Sequence, residues 1–463
     1  MATSTAIVET ITNDIDKEVA LPSPTVPSSP NTPNSPHSPS QSIELQTLNT
    51  LDRNLEAPPD AASAFPDGGL RAWLVVLGAF AILGSTFGLM TSVGVLQAYW
   101  SQNQLASYTD SEIGWIPSIF VFLSLFLGVQ FGPLFDRYGP RWINLIASGM
   151  YVVCLVVLAE CETYWQFMLT LGVLGGICCA ALSTTGLAVL SHWFQTRRGL
   201  ATGVAMAGSS CGGVAFPLLL RPALDSLGWK WTMRLLALVV LVFTMVANLF
   251  IKGRLPLGRR SGSMDPRCLK DARLAWVTLG TFCLEFTLFG ALGLLPTFTL
   301  TQGFSNETSF IVIAVLNAGS ALGRYGSGIV SDKWGHYNTM NVMITFSLVV
   351  MTAVWFSVGY RLVVLYVFAA LFGIFTGGFI SLAPPCVGYI CDADRFGEVF
   401  GTCYGVVSFA TLLTIPIGGQ VLKSAGPEAL IGVLSVSVGI ALFSYLMARW
   451  ACLGYRWKWA TKI

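Results

Sequence analysis

Charge is what this sequence has least of. Of its 463 residues only 11% are Asp, Glu, Lys or Arg, less than half the roughly 25% usual in a soluble protein. That is too little to coat a water-facing surface, while 54% of the residues are hydrophobic and mean hydropathy is +0.65. A bilayer resolves the mismatch. The net charge of +2 gives no reason to expect nucleic acid. Histidine is scarce too: His37, His192 and His336 lie far apart, which excludes a His-rich metal cluster. With no nucleophile–base arrangement either, no catalytic residue and no enzyme is expected. The phosphate-binding spacing Gly-x-x-x-x-Gly-Lys-Ser/Thr is missing, so transport driven by ATP is not expected. Eleven cysteines are present, but most sit in apolar runs, and the adjacent Cys178 and Cys179 have no metal-ligand spacing. They read as packing thiols, with no metal or cofactor.

Residues 1–66 are short of apolar side chains. From Pro22 to Ser40 the chain is Pro, Ser, Thr and Asn apart from Val26 and His37, a composition that stays disordered. No basic stretch followed by an apolar run marks a cleaved signal peptide. Ser23, Ser29, Thr32, Ser35 and Ser38 each precede proline, so the tail is either a substrate of proline-directed kinases or a plain solvated arm.

What is abundant is long hydrophobic runs. They fall at 72–98, 113–132, 142–160, 165–191, 199–221, 233–251, 274–297, 309–331, 339–359, 362–390, 399–422 and 428–449, each long enough to cross a bilayer as a helix. Pro217, Pro384, Pro385 and Pro416 within them are tolerable in lipid. Alternate connections hold Arg137, Arg141, Arg197, Arg198, the cluster from Lys252 to Arg273, Lys333, Arg395 and the tail residues Arg449, Arg456, Lys458 and Lys462. The others hold Arg221, Lys230, Arg234, Arg361 and Lys423. This bias puts both termini in the cytoplasm, with the plasma membrane the expected location.

One loop occurs twice. Gly132, Asp136, Arg137 and Gly139 follow the spacing Gly-x-x-x-Asp-basic-x-Gly, and Gly328, Asp332, Lys333 and Gly335 repeat it 196 residues later. Gly199-x-x-x-Gly203 and Gly397-x-x-x-Gly401 form a second pair, 198 apart. Together with the basic segment they divide the chain into a tail (1–66), two six-helix halves (67–251 and 274–450), a central loop (252–273) and a second tail (451–463). The fold class is therefore an all-α membrane protein of twelve transmembrane helices in two pseudo-symmetric halves.

The loop Gly132-Pro-Leu-Phe-Asp136-Arg137-Tyr-Gly139-Pro-Arg141 resembles the hallmark of the major facilitator superfamily. The resemblance implies that Asp and Arg latch the halves together in one state of a transport cycle. The second copy has His336 and Tyr337 where the first has Pro140 and Arg141, which implies a weaker latch. Asp67-Gly68-Gly69-Leu-Arg-Ala-Trp73 resembles the opening signature of the monocarboxylate porter family. Trp193-Phe194 with Arg197-Arg198-Gly199-Leu-Ala-Thr-Gly203 resembles that family's entry to span 5, and the wording is closest to fungal members. Two positions depart: Thr91 stands where characterised lactate carriers have Lys, and Ser320 where they have Asp.

Only Glu285 and Arg324 are ionisable residues well inside spans. A charge there is costly and faces a water-filled cavity or a partner. Arg324 can grip a carboxylate bidentately and is the candidate substrate-binding residue. Glu285, near the midplane of span 7, is the candidate proton-coupling residue; a plain Glu285–Arg324 ion pair is the alternative. Gln97, Gln130, Asn248 and Asn317 are weaker pathway candidates, more often packing groups. Gly172, Gly175, Gly176, Gly373, Gly377 and Gly378 read as packing glycines, His192 as interfacial, and Asn306 heads a glycosylation sequon in an outer loop.

These features point to a secondary transporter of a small organic anion, monocarboxylate-like and proton-coupled, working by alternating access as a monomeric unit in the lipid bilayer. The alternative is efflux of a fungal secondary metabolite. A riboflavin-type or other vitamin carrier and a non-transporting receptor are further readings. The topology is testable: a glycosylation acceptor inserted beside Lys423 should be modified, and one beside Arg254 should not. Modification of both, or of the second alone, would refute the orientation.

Overall fold

The computed structural model describes residues 66–254, 266–356, 361–456 and 461–463. The tail through residue 65 with its Ser/Thr-Pro pairs, the middle of the basic segment with Arg259 and Arg260, and Lys458 lie outside the described residues. So do the side chains of Asn306 and Lys423. Among the described residues every regular element is helical, with no strand.

Among the described residues, ten helices are long and apolar enough to cross a membrane. An eleventh is concealed in the 53-residue run Arg198–Phe250, which is broken at Gly228 (φ 73°, ψ 177°). The twelfth, Asn306–Trp334, carries Arg324, Asp332 and Lys333 and so reads as more polar than its neighbours. In chain order α1 is Leu70–Gln102, α2 Glu112–Tyr138, α3 Pro140–Leu158 and α4 Tyr164–His192. Helices α5 and α6 are 198–227 and 229–250, followed by α7 (Ala272–Thr301) and α8 (Asn306–Trp334). His336–Trp355 is α9 and Leu362–Ile390 is α10. Phe396–Cys452 is broken at Gly426 (φ 86°, ψ 177°) into α11 (396–425) and α12 (427–452).

The breaks repeat with the sequence. Gly228 and Gly426 are 198 residues apart, the spacing of Gly199 and Gly397. Gly139 (φ 74°) and Gly335 (φ 98°) end the two copies of the charged loop and start α3 and α9. Positive φ with extended ψ is open essentially to glycine alone, which is why the motif closes on glycine in both copies.

Many large apolar side chains face outward, among them Trp142, Ile146, Leu218, Leu249, Val363 and Val436. A soluble protein does not carry such a belt on every side; a lipid-facing bundle does. Because lipid is as apolar as leucine, helix association inside the bilayer relies on close packing of small residues. Between α1 and α5, Gly84 and Gly88 face Gly208 and Gly212. Gly373 and Gly377 of α10 face the Leu316 and Ser320 carbonyls of α8, the packing role the sequence suggested.

Two of the contacts that join the first six helices to the last six are lined by glycine. In α2–α11, Gly128 and Gly132 face Gly401 and Gly397; in α5–α8, Gly199 and Gly203 face Gly328 and the Arg324 carbonyl. A Cβ added to Gly132 would stand 1.9 Å from the Gly397 carbonyl oxygen, whereas at Gly149 it would meet nothing within 4 Å. Gly132→Val is therefore expected to lower the Tm of the detergent-purified protein, and Gly149→Val to leave it unchanged. Equal shifts would show that the α2–α11 contact does not hold the halves together.

Candidate functional site

At one end of the bundle the two repeated motifs recognise each other crosswise. The Asp136 carboxylate, at the end of α2, accepts hydrogen bonds from the Gly397 and Glu398 amides (3.2 and 2.8 Å), which open α11. The Asp332 carboxylate, at the end of α8, accepts from the Gly199 and Leu200 amides (2.8 and 2.9 Å), which open α5. The first amides of a helix have no intrahelical partners and carry the positive end of the helix dipole, so a carboxylate there is favoured twice over. Each half thus caps a helix of the other.

The second cap is no longer than the first, although its loop lacks the trailing basic residue from which a weaker latch was expected. The reason is that its donors are backbone amides. Arg137 is exposed with its guanidinium 5.1 Å from the Tyr138 ring centre, and Arg141 and Lys333 are exposed. Arg198 instead crosses between the halves: its Nη1 donates to the Gly388 carbonyl at the end of α10 (3.1 Å), and its guanidinium lies 4.7 Å from the Phe396 ring centre.

The stretch preceding α1 docks at the same end. Asp67, a non-glycine residue at φ 45°, accepts from the Gln195 and Thr196 amides (both 2.7 Å), the Arg197 amide (3.2 Å) and the Thr196 hydroxyl (2.9 Å). The residues that resemble the two porter signatures are therefore in direct contact. Gly68 lies beside Arg197, Gly69 adopts φ 84° at the start of α1, and Trp73 packs edge-on against Phe194. Burial pushes the Asp67 carboxyl up, but its four donors together hold it below the ordinary aspartate value of 3.8.

Midway along the bundle lies a partly open cavity. Both halves line it. Residues Phe87, Met90 and Thr91 come from α1 and Ser209 from α5; Glu285 and Phe289 come from α7; Asn317, Ser320 and Arg324 come from α8; Phe400 and Tyr404 come from α11. Glu285 and Arg324 are only 6% and 8% exposed, yet they make no contact ion pair with each other. Arg324 is held elsewhere: Nε donates to Ser320 Oγ (3.2 Å), and Nη1 donates to the Met206 carbonyl (2.9 Å) and to the Ser209 hydroxyl. The serine standing where lactate carriers have Asp thus orients the guanidinium without neutralising it. Thr91, at the other departure, faces the same space. A guanidinium and a carboxyl that share a partly apolar cavity without a contact ion pair have the chemistry to meet a ligand with an acidic group and an apolar body.

Of the weaker candidates, Asn317 lines the cavity. Asn248 packs α6 on α3, accepting from Asn144 (3.0 Å) and donating to Ser148 (2.9 Å). Gln97 and Gln130 lie outside the cavity lining. His192, at the end of α4, is buried against the Phe135 ring. Phe400 and Tyr404 were not singled out in the sequence. The signal was there, in the repeated aromatic-Gly pairs Phe396-Gly397, Phe400-Gly401 and Tyr404-Gly405.

A profile described as the Major Facilitator Superfamily matches residues 72–362. The chain belongs to this superfamily. Among its relatives, the aspyridones efflux protein of Emericella nidulans is 34% identical over 395 residues, 84% of this chain and 80% of that protein. A riboflavin transporter of Saccharomyces cerevisiae is 30% identical over 421 residues, 85% and 81% of the two chains. The fold matches the crystal structure of FucP, a superfamily transporter in the outward conformation, with a TM-score of 0.64 and 13% identity over 81% of this chain and 98% of that one. The protein is an integral, multi-pass membrane transporter and not an enzyme.

The Asp67 clamp yields a pH prediction. Its folded-state carboxyl is lowered relative to the unfolded chain, so its stabilisation is complete above the ordinary value and is lost as pH falls through the lowered one. Asp67→Asn should lower Tm at neutral pH, with the gap closing in acid. A gap that persists or widens in acid would remove the ionised carboxylate as its cause.

Proposed function

We propose that this transporter exports an amphipathic metabolite carrying an acidic group, by alternating access around the central cavity. The observation that carries this reading is Arg324: a buried guanidinium braced by serines and a backbone carbonyl, facing a cavity walled by Phe87, Met90, Phe289 and Phe400. A compact monocarboxylate needs little apolar wall, and the basic residue of lactate carriers is replaced by Thr91. The printed function of the Emericella relative, efflux of aspyridones, supports export of a secondary metabolite. Import of a small monocarboxylate is the second reading, favoured by Arg324 itself. A vitamin such as riboflavin has support from the Saccharomyces relative.

In this scheme the halves 67–251 and 274–450 rock about the cavity, and the segment 252–273 joins them on the cytoplasmic side. The capped end is cytoplasmic, as the distribution of Lys and Arg requires, so the described state is closed to the cytoplasm. Asp136 and Asp332 are the gating residues, with Gly132, Gly139, Arg137, Arg141 and Lys333 around them. Glu285 exchanges the coupling proton, the plasma membrane is the site of action, and the functional unit is a monomer.

The test is export and uptake of labelled acidic amphipathic metabolites, small monocarboxylates and riboflavin by cells with and without the protein, at two pH values. Acidic amphiphiles should leave faster from cells that have it, and Arg324→Gln should abolish the difference. Loss of about 3 kcal/mol, a fall of roughly a hundredfold, is the scale for removing one partner of a desolvated charged contact. Glu285→Gln should leave flux that no longer depends on pH. Export by the parent confined to riboflavin or lactate would overturn the acidic-amphiphile reading, and unchanged pH dependence in Glu285→Gln would remove Glu285 as the coupling site.

A further inference from the structure

Helix α11 carries two rows of residues at a spacing of four. Gly397, Gly401 and Gly405 face α2, where a Cβ would strike the Gly132 and Gly128 carbonyls or Val129. One position before each glycine is an aromatic ring: Phe396, Phe400 and Tyr404. These rings are in contact in a row, Phe396 stacked on Phe400 at 5.2 Å between centres and Phe400 against Tyr404 at 4.5 Å with the planes tilted by 35°. The row joins two places already described. At one end, Phe396 carries the Arg198 guanidinium that bridges to α10. At the other, Phe400 and Tyr404 line the cavity with Glu285 and Arg324.

The chemistry changes along the row. Phe396 and Phe400 have no polar atom in the side chain, whereas Tyr404, at the far end of the row, carries a hydroxyl. That hydroxyl has no hydrogen-bond partner among the described residues, although Tyr404 is 7% exposed. A phenol with a free donor in a partly apolar cavity is suited to a ligand's carbonyl or enolate oxygen. Arg198 is equally dependent on the row. Among the described residues its hydrogen bond runs to Gly388, its Nη2 is buried without a partner, and the Phe396 ring lies against its guanidinium. A shift of the stack would remove that support.

We propose that Tyr404 positions the substrate through its hydroxyl, and that the Phe396–Phe400–Tyr404 stack ties its position to the Arg198 bridge at the capped end. The first half rests on the acidic-amphiphile reading above; the second does not. The two halves have separate tests. In proteoliposomes, 4-acetylbenzoate offers a carbonyl acceptor and 4-isopropylbenzoate does not, at nearly the same shape. Tyr404→Phe should raise the KM for 4-acetylbenzoate about threefold to tenfold, the cost of one hydrogen bond to a neutral group, and leave that for 4-isopropylbenzoate unchanged. Equal changes for both, or none, would overturn Tyr404 as the positioning residue, and a parent that moves neither probe would overturn the reading on which it rests.

The coupling is read without any substrate, by peptide-resolved alkylation of Cys391, which lies three residues beyond Gly388 and is partly exposed. Phe400→Leu should raise its alkylation rate in the purified protein several-fold. Phe289→Leu, the same truncation in the cavity wall but on α7, should not. If both raise it equally, or neither does, the stack is packing alone.

Discussion

The structure depends on one interaction made twice: a carboxylate at the end of a helix in one half caps the first amides of a helix in the other. Asp136 seats on α11 and Asp332 on α5. Both elements of each contact were selected for the same geometry. The aspartate supplies charge to a helix N-terminus, and the glycines below it let the backbones close to a distance that a single Cβ would forbid. A contact built from amides and carboxylates is also readily reversible. Its groups exchange protein partners for water at little net cost once the helices separate, which suits the gating role proposed for it.

Closure at that end gives the middle of the bundle its character. With α2 on α11 and α5 on α8, Glu285 and Arg324 are nearly sealed from solvent while remaining apart from one another. Arg324 is braced by Ser320, Ser209 and the Met206 carbonyl, which set its direction. The same guanidinium therefore makes an α5–α8 contact and lines the cavity. Under the proposed function, opening the capped end would disturb the cavity, since α5 and α8 take part in both.

Much of this was legible in the residues. The spans followed from hydrophobic runs, the division into halves from two motif offsets, and the two interior charges from their rarity. Even the departures at Thr91 and Ser320 pointed to the cavity they line. What stayed hidden was pairing. The sequence offered two repeated motifs without saying that each copy of one binds a copy of the other. It marked the trailing Arg141 as part of a latch, while the capping itself is made by backbone amides, which every residue has and no composition reveals. Tyr404 escaped notice because an aromatic residue in a membrane helix is ordinary until its neighbours are known.

The sequence by itself determined the class of machine, because periodic hydrophobicity, scarce charge and glycines at obligatory positive φ are local constraints that act before any long-range contact forms. Tertiary structure alone decided which local features meet. Residues 261 apart, Asp136 and Gly397, become neighbours only when two helices cross at glycines. Glu285 and Arg324 share the cavity without a contact ion pair, the guanidinium being hydrogen-bonded to Ser320 on its own helix and to Ser209 and the Met206 carbonyl on a neighbouring one. Burial and hydrogen-bond competition settle such matters, and both are properties of the packed bundle.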